Sequence, residues 1–119
     1  MLLSADPRMA RRMSMVCRHS GHDFVAVEQA SELRAALSHG QPDVLLLDAT
    51  ASAEETAQLA LGIAKTHPAL GIALATVGHE GRSLRGFRLI NVRRPRDKVA
   101  DELELTFIGI PASVQDIPA

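Results

Sequence analysis

Tryptophan and tyrosine are absent from the chain, and phenylalanine occurs only three times in 119 residues. A core without aromatic rings must be built from Leu, Ile, Val, Ala and Met. The same scarcity argues against a stacking platform for single-stranded nucleic acid, which needs aromatic faces to receive the bases. Cysteine occurs once, at Cys17. That excludes an intramolecular disulfide framework and suggests a reducing compartment. No apolar run approaches the roughly 20 residues that span a bilayer. The opening residues, MLLSADPR, lack the basic region and long apolar stretch of a secretory signal. A cytoplasmic location is the expectation. Charge of one sign is also missing. The formal net charge is −1, so nothing pulls the whole molecule towards a nucleic acid or a membrane surface.

What is present is an apolar share of 46%, enough for one domain with a single core. The most informative stretch is Gln41–Ala49, QPDVLLLDA. Four large aliphatics, Val44 to Leu47, follow a proline and stop at a carboxylate, Asp48. Such a run reads as a strand buried on both faces. That implies a parallel sheet with helices on either side, and in such sheets the chemistry sits at the carboxyl ends of the strands. Asp48 is at such an end.

The rest of the chain alternates strand and helix. Met1–Ala5 reads as a first strand, with Asp6 capping a helix and Pro7 in its first turn. Met9, Met13, Val16 and Cys17 then give Arg8–His19 one apolar face, and Gly21 ends it. Asp23–Val27 is a second strand. Ser31 with Glu32 marks a helix start, and Leu33, Ala36 and Leu37 form its buried side. Ser52 is a plausible cap for a helix over Glu54–His67, buried through Leu59, Ile63 and Ala60. Gly71–Thr76 and Phe87–Val92 read as the fourth and fifth strands. Between them, Val77–Gly86 holds three glycines and supports at most a helical turn around Arg82–Arg85. The last helix is Asp97–Ile108, with Val99, Leu103 and Phe107 on one face. The expected organisation is one domain over residues 1–109 and a tail or linker over 110–119.

Among the residues that could carry chemistry, Asp48 is either a reactive carboxylate or a strand end that only caps the next loop. Arg8, Arg11, Arg12 and Arg18 form a basic helix face, best read as solvated. The absence of interleaved aromatics argues against nucleic acid as a partner for such a face. The five histidines show no metal-ligand spacing. Cys17, on the apolar side of its helix, reads as an inert thiol.

Taken in order, "SADP", "GHDFVAVEQASELRAAL", "QPDVLLLDA", "HPALGIALATV" and "VRRP" resemble the receiver domain of two-component response regulators, from Met1 to about Ile108. The resemblance implies an α/β, flavodoxin-like, CheY-like (βα)5 three-layer sandwich. Its five-stranded parallel sheet would have the order 2-1-3-4-5, with a shortened or irregular fourth helix. It places the phospho-acceptor on Asp48, the switch hydroxyl on Thr76 and the phosphate-binding cation on Arg94, where the family normally has Lys. The family's acidic pair falls on Ser4 and Ala5. That leaves only Asp6 and Asp48 for a metal, so the expected cofactor is none or a weakly held Mg²⁺. With Arg in place of Lys, a direct Arg94–Asp48 ion pair is a further expectation. The resemblance thus points to a non-enzymatic, degenerate receiver-like module in bacterial two-component-type signalling, with weak or absent phosphorylation at Asp48. Its partners would be proteins, a histidine kinase or an output domain, or a second copy in a homodimer. The alternatives are a working phospho-acceptor in a His-Asp phosphorelay, or an N-terminal localisation or dimerisation domain of a larger protein such as a pilus-assembly ATPase. A flavin-binding enzyme on the same fold is disfavoured, because no phosphate-binding loop is present.

Overall fold

Strand and helix alternate from Leu2 to Thr76 because apolar runs of two to six residues are separated by longer stretches with helical spacing. The computed structural model describes residues 1–79 and 82–108. A two-residue strand β1 (Leu2–Leu3) leads into α1 (Pro7–His19). The α1 N-terminus is built as the sequence suggests: the Asp6 carboxylate accepts from the Arg8 N–H at 2.9 Å, with Pro7 in the first turn. Then follow β2 (Ala26–Val27), α2 (Ala30–His39), β3 (Val44–Asp48), α3 (Ala53–Thr66) and β4 (Gly71–Thr76). Ser52 caps α3 by accepting from the Glu55 N–H. At α2 the start lies earlier than Ser31. Gln29 is the N-cap residue there and makes no side-chain bond.

The chain closes with β5 (Ser83–Leu84), β6 (Phe87–Asn91) and α4 (Arg96–Phe107). The sheet among the described residues has six strands in the order β2-β1-β3-β4-β6-β5. All neighbours are parallel except β5 and β6. Four helices cover it. Leu33 and Leu37 of α2 and Ala57, Ala60 and Ile63 of α3 pack on one face with Leu45, Leu47 and Leu74. Met9, Met13 and Val16 of α1 and Val99 of α4 pack on the other with Leu46, Ala73, Ala75 and Ile90. The architecture is therefore three layers, helix–sheet–helix, and the strand alternation sorts each residue of β3 and β4 to one layer or the other.

This differs from the expected five-stranded, all-parallel sheet in strand count and order, and no helical turn forms at Arg82–Arg85. The reason is local. Arg85 and Gly86 have φ of 51° and 86°. Two consecutive positive φ values make the type I′ turn that closes a two-residue hairpin. Ser83 and Leu84 then pair antiparallel with Arg88 and Phe87. Leu84, 3% exposed, enters the layer formed by α2 and α3. A hairpin thus covers the area where the expected fourth helix would lie.

The hairpin turn is tied to α3. Arg85 Nε donates to Glu54 Oε1 at 2.8 Å, and Nη2 of the same side chain reaches the same oxygen. The Arg85 guanidinium holds the Glu54 carboxyl below its ordinary value of 4.5. A carboxylate lowered in this way adds stability above its unfolded pKa, and that contribution is lost as pH falls through the folded one. Arg85→Ala should therefore lose less stability than the wild type as pH falls below the ordinary carboxylate value of 4.5, and show the same flat profile well above it. Melting temperatures across the two pH series check this. The pair is solvent-exposed, so the difference will be small.

Helix α4 presents a different face from the one expected. Val99, Leu103 and Thr106 turn inward, at i, i+4 and i+7, while Phe107 is 44% exposed and its ring lies 5.7 Å from that of His22. The close approach is made at Gly71, where an added Cβ would lie 2.8 Å from the Thr106 carbonyl oxygen. Only a residue without Cβ lets α4 settle there. On α3, Ala57 joins Ala60 and Ile63 as the buried set, and Leu59 is half-buried. The expected tail at 110–119 lies outside the described residues. No described helix is long and apolar enough to cross a membrane.

Candidate functional site

Asp48 ends β3 at the centre of the sheet, half-buried, between β1 and β4. Alternation puts its side chain on the same side as Leu46, towards α1 and α4. One residue past β1, Ser4 is 5% exposed, and its backbone N–H donates to the Val27 carbonyl at 3.0 Å. That anchor aims its hydroxyl across the sheet end. Ser4 Oγ donates to Asp48 Oδ2 at 2.7 Å, and accepts from the Asp6 N–H at 3.0 Å. The other oxygen, Asp48 Oδ1, accepts from the Thr50 N–H at 3.0 Å and the Thr50 hydroxyl at 2.6 Å. Both carboxylate oxygens thus face protein donors. The ends of β1 and β3, and the start of the loop to α3, are stitched together through one side chain.

Asp48 therefore offers fewer free lone pairs to a Mg²⁺ ion than an uncommitted carboxylate would. Magnesium wants near-octahedral oxygen ligands at about 2.0–2.1 Å, with carboxylates offering free lone pairs. Here hydroxyl and amide hydrogens point at the Asp48 oxygens. Asp6 Oδ1 accepts from the Arg8 N–H, and Arg8 Nε lies 3.8 Å from the same oxygen. Among the described residues no group of three or more His, Cys, Asp or Glu could hold a metal ion.

The other sequence candidates are not gathered around Asp48. In the β3–β4 register Asp48 lies beside Ala75, and Thr76 lies one residue further on, facing the opposite layer by alternation. Thr76 is 4% exposed, and its hydroxyl donates to the carbonyl of Gly78 at 3.1 Å, with a longer contact of 3.4 Å to that of Ile90. It holds the β4–hairpin turn instead of reaching the carboxylate. Arg94 forms no ion pair with Asp48, so the expected direct counter-ion is not found. It is placed by its backbone: its N–H donates to the Asn91 carbonyl, and its own carbonyl accepts from Arg12 Nη2 at 2.8 Å. Burial pushes the Cys17 thiol above its ordinary value, which keeps it in the unreactive thiol form.

Two residues of this site escaped the sequence reading. Thr50 had no assigned role, although Asp-x-Thr directly after a strand is the pattern of an Asx-turn, in which the carboxylate accepts the N–H two residues on. Ser4 was noted only as a missing acid. Its identity as the donor to Asp48 depends on strand order, which places β1 beside β3. No family model, no curated protein and no solved structure matches the chain.

Proposed function

We propose that the chain is a receiver-like signalling module of flavodoxin-like ancestry that works through protein contacts and not through Mg²⁺-dependent phosphorylation of Asp48. The observation that carries this reading is the Ser4–Asp48 hydrogen bond. Receiver-type phosphoryl transfer to a carboxylate brings several negative charges together, and positioned cations are the usual means of neutralising them. At Asp48 the neighbouring groups are neutral hydroxyls and an amide. Thr76 is committed to its own turn, and Arg94 makes no ion pair with the carboxylate. The five parallel strands, read as β2-β1-β3-β4-β6, keep the strand sequence such a module would have, and the hairpin stands where a fourth helix would otherwise lie. The chain's role is then to present a fixed surface to a protein of a two-component-type pathway, a kinase, an output domain or a second copy.

Incubation of the protein with acetyl phosphate, or with beryllofluoride, in the presence of Mg²⁺ tests this. Intact mass and the fold's melting temperature are expected to stay unchanged. A stable adduct that disappears in Asp48→Asn would overturn the proposal and make Asp48 a working phospho-acceptor.

A further inference from the structure

Helix α1 carries Arg8, Arg11, Arg12 and Arg18 and no acidic residue over its whole length. In a chain with a net charge of −1 this is a strong local excess. Arg8, Arg11, Arg12 and Met15 fall at i, i+3, i+4 and i+7, one face of the helix. Together with Pro95 and Arg96 they line a concavity of about 410 Å³ at the start of α4. Four guanidinium groups therefore meet around one hollow. Among the described residues, a single carboxylate approaches any of them, Asp6, which lies 3.8 Å from Arg8 Nε. Arg12 is fixed by its 2.8 Å bond to the Arg94 carbonyl, which also ties α1 to the loop before α4. The N-cap of α4, Pro95, makes no side-chain cap bond, and the first turn of that helix carries one acidic residue, Asp97. The floor is apolar: Met15 is 44% exposed, beside Pro95.

We infer that this hollow docks an acidic segment of a partner protein, one that offers Glu or Asp side chains to the guanidinium groups and an apolar side chain to Met15 and Pro95. Guanidinium forks match carboxylates two bonds at a time. Protein interfaces are enriched in Arg and Met and depleted in Lys, and the lining has that composition. A nucleic-acid surface would call for a longer basic track or aromatic faces, and the lining has no aromatic residue. Like charges held close together repel, and an incoming carboxylate removes that repulsion. The inference rests on the interaction-module reading and names the chemistry of the partner.

The test uses a fluorescein-labelled synthetic peptide of repeating Glu-Glu-Leu-Glu and measures anisotropy at about 0.01 M and about 0.15 M ionic strength. Binding is expected, weaker at the higher salt. Arg11→Glu combined with Arg96→Glu should lower the affinity about tenfold or more, while Arg34→Glu on α2 should leave it unchanged. Arg11→Gln with Arg96→Gln removes charge without reversing it, should weaken binding in the same direction, and serves if the first pair disturbs the fold. The inference is overturned if the peptide does not bind, if the double variants bind like the wild type, or if a labelled DNA duplex or inorganic phosphate competes as well as unlabelled peptide. Asp48 takes no part in this test, so its failure leaves the phosphorylation experiment and the reading it addresses standing.

Discussion

Leu47→Ala is expected to lower the free energy of unfolding by about 3–4 kcal/mol, within the range for fully buried leucines. Leu47 is 0% exposed. It pairs in register with Leu3 on one side and Leu74 on the other, and it packs in the layer covered by α2 and α3. Its neighbours are held by a sheet ladder on both sides, so they cannot collapse into the space it leaves. The lost transfer free energy is then joined by a cavity term of about 24 cal/mol per Å³. For a domain whose whole stability is of the order of 5–15 kcal/mol, the variant should unfold at markedly lower urea. Leu59→Ala, at a half-buried position of α3 at the edge of the same core, is the control and should cost less. Urea midpoints with unchanged slopes decide the matter. A loss below about 1 kcal/mol at Leu47 would mean that the centre of the sheet is not the packed core described here.

Ser4→Asp is expected to destabilise the protein without divalent metal and to make it respond to Mg²⁺. The Ser4 hydroxyl lies 2.7 Å from Asp48 Oδ2 inside a nearly closed sheet end. Replacing it with a carboxylate removes a donor and sets two like charges at contact distance in a poorly solvated site. An unpaired buried charged group costs about 1–3 kcal/mol or more. A metal that bridges the two carboxylates and binds only the folded state returns about 2.7 kcal/mol at 100 times its Kd. The variant's melting temperature should therefore fall in EDTA and climb by several degrees with Mg²⁺, whereas the wild type should be indifferent to the ion. Ser4→Ala, which removes the donor without adding charge, should be mildly destabilised and insensitive to Mg²⁺. A wild-type melting temperature that rises with Mg²⁺ as the variant's does would contradict the proposal that the protein works without Mg²⁺ at Asp48.

Both predictions turn on residues whose roles were legible to different degrees. The Val44–Leu47 run declares a buried central strand, because four consecutive large aliphatics have no other low-energy place. The Asp6-Pro7 cap and the Ser52 cap were legible for the same local reason: each is satisfied within four residues of itself. Gly71–Thr76 matched the structure residue for residue. Legibility stopped where a partner lay far along the chain. The α4 face is set by Gly71, some 35 positions before Thr106, so helical periodicity alone placed Phe107 inward. The Arg85-Gly86 hairpin was masked because Ser83–Leu84 is too short to show a strand period, and its pairing needs β6 already in place.

Composition and local pattern were thus enough for the class of this protein: alternating strands and helices, a parallel core built from aliphatic residues, and Asp48 at its carboxyl end. These follow from short-range effects, caps, turns and the period of apolar residues, each readable over a few positions. What Asp48 does could not be read the same way. Its oxygens are claimed by Ser4, 44 residues away, and by Thr50, two residues away. Thr76 is turned from it by a one-residue offset in the β3–β4 register, and Arg94 makes no ion pair with it. These are contacts between strand ends, fixed by sheet order and register, and a one-residue slip in either would assemble a different site from the same amino acids.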